Sequence, residues 1–162
     1  RMPILPRGGS ATDDPEGAAV LAETREVVGK DPLIHILELP PTSHLEINAL
    51  QRGSTIIVQK SLREGFGLTV TEALWKRKPV VASAVGGIPL QVIHQFSGLL
   101  CHSIEGAALA IRQLFQNPEF AKRLGENGRE HVRQHFLITR QVHENLLLML
   151  SLHHKGDIIT FK

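Results

Sequence analysis

The fold of this chain is decided by residues 55–84, which read TIIVQKSLREGFGLTVTEALWKRKPVVASA. Two short apolar runs rich in β-branched residues, Thr55–Gln59 and Pro79–Ala84, predict strands, and the pattern from about Gly67 to Arg77 predicts a helix between them. The strands are apolar on both sides, which is typical of a parallel sheet covered on both faces. The stretch therefore predicts a right-handed β-α-β unit.

The same alternation of strands and helices continues on both sides of this unit. Further strands are predicted at Pro3–Arg7, Ile34–Leu39 and Leu99–Cys101, and further helices at about 13–29, 43–52 and 89–94. Strands and helices that alternate at this spacing form layered parallel sheets. We therefore expect an α/β fold with a three-layer, doubly wound parallel sheet.

After about residue 103 the pattern changes to helices without strands between them. Asn117 and Pro118 are expected to end one helix and begin the next, and Thr139 is expected to cap a final helix. We predict one domain over residues 1–155, followed by a tail over residues 156–162 that has no clear assignment. One apolar stripe is formed by residues four or eight positions apart, namely Phe120, Leu124, Val132 and Phe136.

Composition narrows the classes of function. Of the 162 residues, 42% are apolar, and the formal net charge of +2 makes no case for nucleic acid or a membrane surface as a partner. Cys101 is the only cysteine, so no intrachain disulfide can form, and its apolar surroundings predict a small buried residue. This cysteine usage and the lack of a visible signal peptide favour a cytoplasmic protein. Because the chain begins at Arg1 and not at Met, we expect it to be part of a longer one.

Three glycine-containing loops follow predicted strands at the carboxyl edge of the sheet, where ligands of open parallel sheets bind. They are Gly8–Gly9 with Ser10, the loop from Ser61 to Gly67, and Val85 with Gly86–Gly87. Glycine lets the backbone approach a ligand closely. The second loop also leads into a helix N-terminus, whose amides and dipole favour an anion such as a diphosphate.

Glu64 and Glu72 stand on either side of the glycines of the second loop and admit two interpretations. Glu72 lies in or just after the first turn of the predicted helix, where the dipole alone favours an acid. The dipole explains Glu64 less well, because Glu64 stands in the loop itself. A carboxylate accepts two hydrogen bonds, so the two residues could instead hold hydroxyl groups on either side of a phosphate site. Their spacing alone does not choose between the interpretations.

A family resemblance adds to this reading. The stretch SLREGFGLTVTEALWKRKPVVASAVGGIPLQV, residues 61–92, resembles the C-terminal, donor-binding domain of GT-B fold retaining glycosyltransferases of the GT4 family, which carry a Glu, seven residues and a second Glu. Residues 48–76 and the stretch GGSATDDPEG at 8–17 are similar to glycosyl-transferring trehalose synthases and to trehalose phosphorylases. The resemblance covers residues 3–150 and implies a Rossmann-like fold. It departs at Lys78, where the family has Gly, and at Gln91, where many members have Glu.

The resemblance implies a role for each residue of the motif. It makes Glu64 the catalytic residue, in contact with the transferred sugar, and it makes Glu72 the residue that holds the ribose hydroxyls of the donor. The nucleobase would lie near Leu39 and Pro40. The donor-binding loop, whose amides reach sugar hydroxyls and the diphosphate, would consist of Gly65, Phe66, Gly67, Leu68 and Thr69.

The implied function is that of a donor-binding domain in an enzyme that moves glucose from a nucleoside diphosphate glucose to a sugar acceptor, giving trehalose. The partners would be the nucleotide sugar, the acceptor and an N-terminal domain of the same protein, with no further cofactor and no metal. Because that domain and a basic phosphate-binding loop would precede Arg1, we expect this chain alone to be inactive. Two alternatives stay open: a trehalose phosphorylase, and a non-catalytic ligand-binding module on the same fold. The oligomeric state also stays open.

The remaining candidates each have a plain structural alternative. Lys60 and Arg63 flank the second loop and either contact phosphate or form solvated surface. His131 and His135 lie four apart on a predicted helix, as metal ligands do, but no third ligand is apparent. Trp75 and Phe66 are expected in the core, and Phe66 is the better candidate for stacking because it lies in the loop.

Overall fold

The computed structural model describes residues 4–8 and 15–153, with side chains described from residue 18 onward. Contacts divide the chain into two compact units, residues 1–50 and residues 51–162. The described strands are β1 (Ile4–Gly8), β2 (His35–Leu39), β3 (Ile57–Gln59), β4 (Val80–Ser83) and β5 (Leu99–Cys101). The described helices are α1 (Pro15–Val28), α2 (His44–Gly53), α3 (Leu68–Trp75), α4 (Ile88–Gln91), α5 (Ile104–Gln116), α6 (Pro118–His135) and α7 (Ile138–His153).

The first unit contains one parallel strand pair joined by a helix. β1 pairs with β2 in parallel, with Ile4 opposite His35 and Gly8 opposite Leu39. α1 connects the two strands and is followed by Gly29 at a φ of +57°, a conformation that glycine adopts without steric cost. The predicted strands and helix are confirmed here. The predicted loop at Gly9 and Ser10 lies outside the described residues.

The second unit contains three parallel strands in the order β3-β4-β5. The strand and helix predictions for this unit are confirmed, although β3 and β4 are shorter than their apolar runs and α4 ends at Gln91, three residues before its predicted end. Residues 55–56 and 79 lie outside the strands, and the Ile57 amide donates to the Pro79 carbonyl across the start of the pair, at 3.0 Å. The predicted β-α-β unit is therefore present, with α3 joining β3 to β4.

Side chains of β4 alternate between two apolar clusters, one on each face of this sheet. Val80 and Ala82 pack in a cluster with Val70 and Leu74 of α3. Val81 packs on the other face, in a cluster with residues of α5 and the first half of α6. All four β4 residues are buried. This confirms the three-layer α/β arrangement that the two-sided apolar strands predict.

Two glycines let α6 approach α3 and its C-terminal turn very closely. A Cβ atom on Gly125 would lie 2.2 Å from the Arg77 carbonyl oxygen, and one on Gly128 would lie 2.6 Å from Leu74 Cδ2. Asn117 caps α6, since its side chain accepts a hydrogen bond from the Phe120 amide at 3.0 Å. The predicted junction between α5 and α6 is therefore confirmed.

The final helix differs from its prediction at its start and in its exposure. α7 begins at Ile138, so Thr139 is its second residue and the predicted cap is wrong. No residue of α7 is buried, including the apolar Val142, Leu146 and Met149. Within the described residues, no helix combines the length and the apolar character that crossing a bilayer requires. The predicted tail at 156–162 lies outside the described residues.

Candidate functional site

The loop between β3 and α3 is shaped by Gly67, which ends the loop and caps α3. Gly67 has φ +88° and ψ +59°, a left-handed conformation that favours glycine. Space is short there as well, because an added Cβ would lie 3.2 Å from Ile88 Cγ1 and 3.4 Å from Glu64 Cγ. The glycine therefore allows the loop to turn sharply into the N-terminus of the helix.

A second glycine turn packs directly against this loop. Gly86 has φ +56°, and a Cβ built on it would lie only 1.7 Å from the Glu64 carbonyl oxygen. The Gly87 amide donates a hydrogen bond to the Gly65 carbonyl at 2.8 Å. Two of the three glycine loops that the sequence predicts at the sheet edge therefore lie together, one after β3 and one after β4.

Three successive carbonyls of the loop, those of Gly65, Phe66 and Gly67, accept hydrogen bonds from the protein. The Gly65 carbonyl accepts from Gly87, and the Gly67 carbonyl accepts from the amides of Val70 and Thr71, at 2.9 and 3.4 Å. The Phe66 carbonyl accepts from Gln91 Nε2. Within the described residues, no hydrogen-bond acceptor is present for four successive amides, those of Phe66, Gly67, Leu68 and Thr69. This row of donors lies at the positive end of α3, where an anion is favoured.

Glu64 is half-buried, and both of its carboxylate oxygens accept hydrogen bonds. Oε2 accepts from Gln59 Nε2 at 3.3 Å and from Ser61 Oγ at 3.4 Å. Oε1 accepts from the Gly65 amide at 3.1 Å. A carboxylate has about four lone-pair sites. Glu64 is therefore held in place by three donors and keeps the capacity to accept from a hydroxyl group.

Glu72 is held by a different set of groups. It lies just after the first turn of α3, as predicted, where the effect of the helix dipole is already weaker than at the first residues of the helix. Its Oε2 accepts from Nε2 of the buried Gln51 at 2.9 Å, and Gln51 Oε1 accepts from Lys76 Nζ at 2.6 Å. Glu64 and Glu72 share no hydrogen-bond partner among the described residues, so they do not form a proton-sharing pair.

Two aromatic residues that were expected in the core are partly exposed. Phe66 is 43% exposed and Trp75 is 37% exposed, so the core prediction is wrong for both. The Phe66 ring lies 5.9 Å from the ring of Phe136. The Arg129 guanidinium lies 4.8 Å from the centre of the Trp75 ring, within the range of a cation–π contact.

The basic and histidine candidates have different surroundings. Lys60 and Arg63 are exposed, and neither forms an ion pair with another described residue. The ring centres of His131 and His135 lie 4.7 Å apart, and His131 Nε2 lies 3.1 Å from the Leu90 carbonyl. No group of three metal-binding side chains occurs among the described residues.

No contacts were predicted from the sequence for the three glutamine side chains that hold the loop and the two glutamates. Gln51, Gln59 and Gln91 each donate to a loop or carboxylate oxygen, and Gln59 and Gln91 each stand in a short, otherwise apolar element. For Gln59 and Gln91, a polar amide in an apolar run is the signal that could have identified them, because buried polar groups need partners. Cys101 is buried, as predicted, and its thiol donates to the Ala82 carbonyl at 3.3 Å.

The nucleobase is predicted to lie near two residues of the first unit, Leu39 and Pro40. Leu39 ends β2 and is half-buried, and Pro40 after it is exposed. Their role beside a nucleobase stays a prediction.

Comparison with known proteins finds one family and a group of related enzymes. The family model described as "Glycosyl transferases group 1" matches residues 33–131. A trehalose synthase of Rubrobacter xylanophilus is 45% identical over 146 residues, which is 90% of this chain and 35% of that protein. A trehalose phosphorylase of Pleurotus pulmonarius is 35% identical over 137 residues, or 80% of this chain and 18% of that protein. The chain spans about a third of the length of the trehalose synthases that it matches.

Solved structures share the fold. Sucrose-phosphate synthase from Thermosynechococcus elongatus superposes with a TM-score of 0.76 at 28% identity, over 93% of this chain and 38% of that one. The Anabaena protein HepE, solved in complex with UDP-glucose, gives a TM-score of 0.73 at 23% identity, over 90% of this chain and 40% of that one. Both matches cover nearly all of this chain and less than half of the solved protein.

Proposed function

The chain belongs to the glycosyl transferases group 1 family, and from that premise we propose that it is the donor-binding domain of a retaining glycosyltransferase. In this proposal it binds a nucleoside diphosphate glucose, and the enzyme that contains it transfers the glucose to a sugar acceptor to form trehalose. The reaction is placed in the cytoplasm, in keeping with a single, buried cysteine.

The observation that carries the proposal is the row of four amides from Phe66 to Thr69, which have no acceptor in the part of the chain that the structure describes. A diphosphate is an anion with several acceptor oxygens, and it fits donors that converge at a helix N-terminus. The amides stay in place when the sugar departs, because the carbonyls beside them are bonded to the protein. They would therefore stabilise the negative charge that develops on the leaving diphosphate without reorganising. Lys60 and Arg63, both exposed beside the loop, would add positive charge.

The two glutamates serve opposite ends of the donor in this proposal. Glu64 lies before the amide row and would hold and orient the glucose. Positive character would develop on the sugar ring as the diphosphate leaves from the face on which the acceptor attacks. Glu72 lies after the row and would accept hydrogen bonds from the ribose hydroxyls. Their separate partners, Gln59 with Ser61 for one and Gln51 for the other, support separate tasks.

The glucose and trehalose part of the proposal is supported by the relatives. The trehalose synthases match over 90–92% of this chain at 41–45% identity. The HepE structure was solved with UDP-glucose, which makes that compound one of the first donors to test.

Trehalose phosphorylases are the second candidate. They match at 34–35% identity, but the ribose-binding role proposed for Glu72 would have no purpose in an enzyme that uses phosphate.

Calorimetric titration tests the proposal. This chain is titrated with ADP-, UDP- and GDP-glucose and, separately, with inorganic phosphate and with trehalose. We expect saturable binding of at least one nucleotide sugar that is tighter than the binding of phosphate or of trehalose. Transfer to glucose is then assayed in the longest gene product that contains the chain. Absence of saturable binding for all three nucleotide sugars would overturn the proposal, and binding of trehalose and phosphate alone would favour the phosphorylase.

A further inference from the structure

Gln91 is a polar side chain with no exposed surface, and the proposed mechanism gives it no task. It is the last residue of α4, which follows the Gly86–Gly87 turn. Its side chain lies between the donor-binding loop and α3, because Nε2 donates to the Phe66 carbonyl and Oε1 accepts from the Thr71 hydroxyl. Gln91 therefore links the loop to the second turn of the helix that the loop precedes.

The orientation of this amide follows from the chemistry of its neighbours. A carbonyl oxygen only accepts, so the Phe66 carbonyl must face the NH₂ group of Gln91. The Gln91 oxygen then faces Thr71, whose hydroxyl donates to it. Both ends of the side chain are satisfied only in this orientation, and a buried amide that loses a partner is destabilised.

The link has a direct consequence for the amide row. The Phe66 carbonyl and the Gly67 amide belong to one planar trans peptide, so they point in opposite directions. Because Gln91 holds the carbonyl toward the interior, the Gly67 amide points away from Gln91. The Gly87 amide fixes the preceding peptide in the same way, through the Gly65 carbonyl at 2.8 Å, and so directs the Phe66 amide.

Without the hydrogen bonds from Gly87 and Gln91, the two peptides on either side of Phe66 could rotate and turn their amides in another direction. Phe66 is flanked by Gly65 and Gly67, and glycine populates positive and negative φ about equally. A loop with glycine on both sides of one residue can turn its peptides over at little steric cost. A fixed row of donors in this loop therefore requires bonds from outside the loop, and Gln91 and Gly87 supply them.

We propose that Gln91 is a positioning residue that aims the Gly67 amide at the bound diphosphate, with Thr71 holding the Gln91 side chain in register. This inference rests on the proposed function for the identity of the ligand. The direction of the Gly67 amide does not depend on it.

Gln91→Met tests the inference, because methionine has a similar volume and length but no donor. Donor affinity is measured by titration with the nucleotide sugar that the wild-type chain binds best. The direction of the Gly67 and Phe66 amides is followed separately by their chemical shifts and hydrogen exchange in ¹⁵N spectra. Losing one donor to an anion weakens binding about tenfold or more, so we expect a loss of that size and shifted Gly67 resonances.

Val92→Ala is the matched control, because Val92 is the buried neighbour of Gln91 and packs in the apolar cluster that contains Val70 and Leu74. It lowers the thermal midpoint but leaves the donor of the Phe66 carbonyl in place, so we expect donor affinity within about twofold of wild type. Equal losses of affinity in Gln91→Met and Val92→Ala would overturn the inference, since they would indicate a structural role alone.

Two further outcomes keep the inference separate from the proposed function. If the wild-type chain binds no nucleotide sugar, the proposed function fails, and unchanged Gly67 resonances in Gln91→Met would then overturn the positioning role as well. If Gln91→Met does not fold, Thr71→Val replaces it, because it removes only the hydroxyl that holds the amide. A shift at Gly67 with a loss of affinity of about threefold is then expected, and wild-type values for both would contradict the inference.

Discussion

At the scale of single residues, Glu64 and Glu72 differ most in what holds them. Glu64 accepts from two side chains and one amide close to it in the chain, Gln59, Ser61 and Gly65. Glu72 accepts from Gln51, which comes from α2, and Lys76 in turn donates to Gln51. A carboxylate whose position is set before the ligand arrives loses little entropy when it binds. Both residues are therefore suited to hold hydroxyl groups rather than to exchange protons with one another.

Glu64→Gln is expected to lower turnover much more than donor affinity. The change keeps the shape of the side chain but removes the negative charge beside the sugar, which matters most when positive character develops on the ring. We expect kcat for glucose transfer to fall by roughly 100-fold, with a change in donor Kd of less than about threefold. The assay uses the longest gene product that contains this chain. Glu126→Gln, at an exposed position on α6, is the control, and an unchanged kcat in Glu64→Gln would contradict the assignment.

Glu72→Gln is expected to have the opposite pattern. In the proposed role, removing the charge would weaken the hydrogen bonds from the ribose hydroxyls, which would be equally strong before and during the reaction. Donor Kd should rise by about tenfold while kcat changes little. Gln51→Leu should give a smaller loss in the same direction, because Glu72 remains but is no longer held. The measurement is titration with the nucleotide sugar, and a loss confined to kcat would refute the ribose role.

At the scale of elements, the site depends on the contact between two loops. The Gly86–Gly87 turn after β4 touches the backbone of Glu64 and Gly65 after β3, and no side chain fits between them. β3 and β4 are neighbours in the parallel sheet, so their carboxyl ends bring these loops to the same edge. The register of two strands therefore decides how the donor-binding loop is supported.

Gly86→Ala is expected to separate these loops and destabilise the protein. Its Cβ would lie 1.7 Å from the Glu64 carbonyl oxygen, and φ at this position is +56°, which alanine adopts only with strain. We expect a loss of more than about 2 kcal/mol in the free energy of unfolding and of most donor binding, measured by urea unfolding and by titration. Gly53→Ala in α2 is the control, since nothing lies within 4 Å of its added Cβ and alanine favours the helix. Similar stability in both variants would show that the loops are not in contact.

At the scale of the whole molecule, ligand binding should stabilise the folded chain. A ligand that binds only the folded state at 100 times its Kd adds about 2.7 kcal/mol to the free energy of unfolding. For a chain of this length, that corresponds to a rise of roughly 5–11 °C in Tm. We expect this rise with the preferred nucleotide sugar in a thermal unfolding experiment.

Glu72→Gln at the same ligand concentration serves as the comparison. If its Kd is about tenfold higher, the stabilisation falls to about half, and the rise in Tm falls with it. An equal rise in both proteins would place the bound nucleotide sugar outside the proposed site.

Much of the fold could be predicted from the sequence, because its signals are local. The alternation of apolar runs and helical patterns gave the strands and helices in the right order, since the period of a side-chain pattern reflects the element that carries it. Asn117 and Pro118 marked the junction between α5 and α6, because a capping side chain and a proline at the first helical position are also local signals. The prediction that Thr139 caps the last helix was wrong, because Ile138 already lies in α7 and a capping side chain is needed only where a helix begins.

The motif around Glu64 was also evident from the sequence alone, whereas the contacts that hold it were not. Gln91 reaches Phe66 across 25 positions and Thr71 across 20, and Gln51 reaches Glu72 across 21. No local pattern encodes such pairs, because they depend on the order and register of the strands. The sequence by itself determined the β-α-β unit and the residues of the loop. Only the tertiary structure decided which way the amides of that loop point, since distant donors hold the carbonyls beside them.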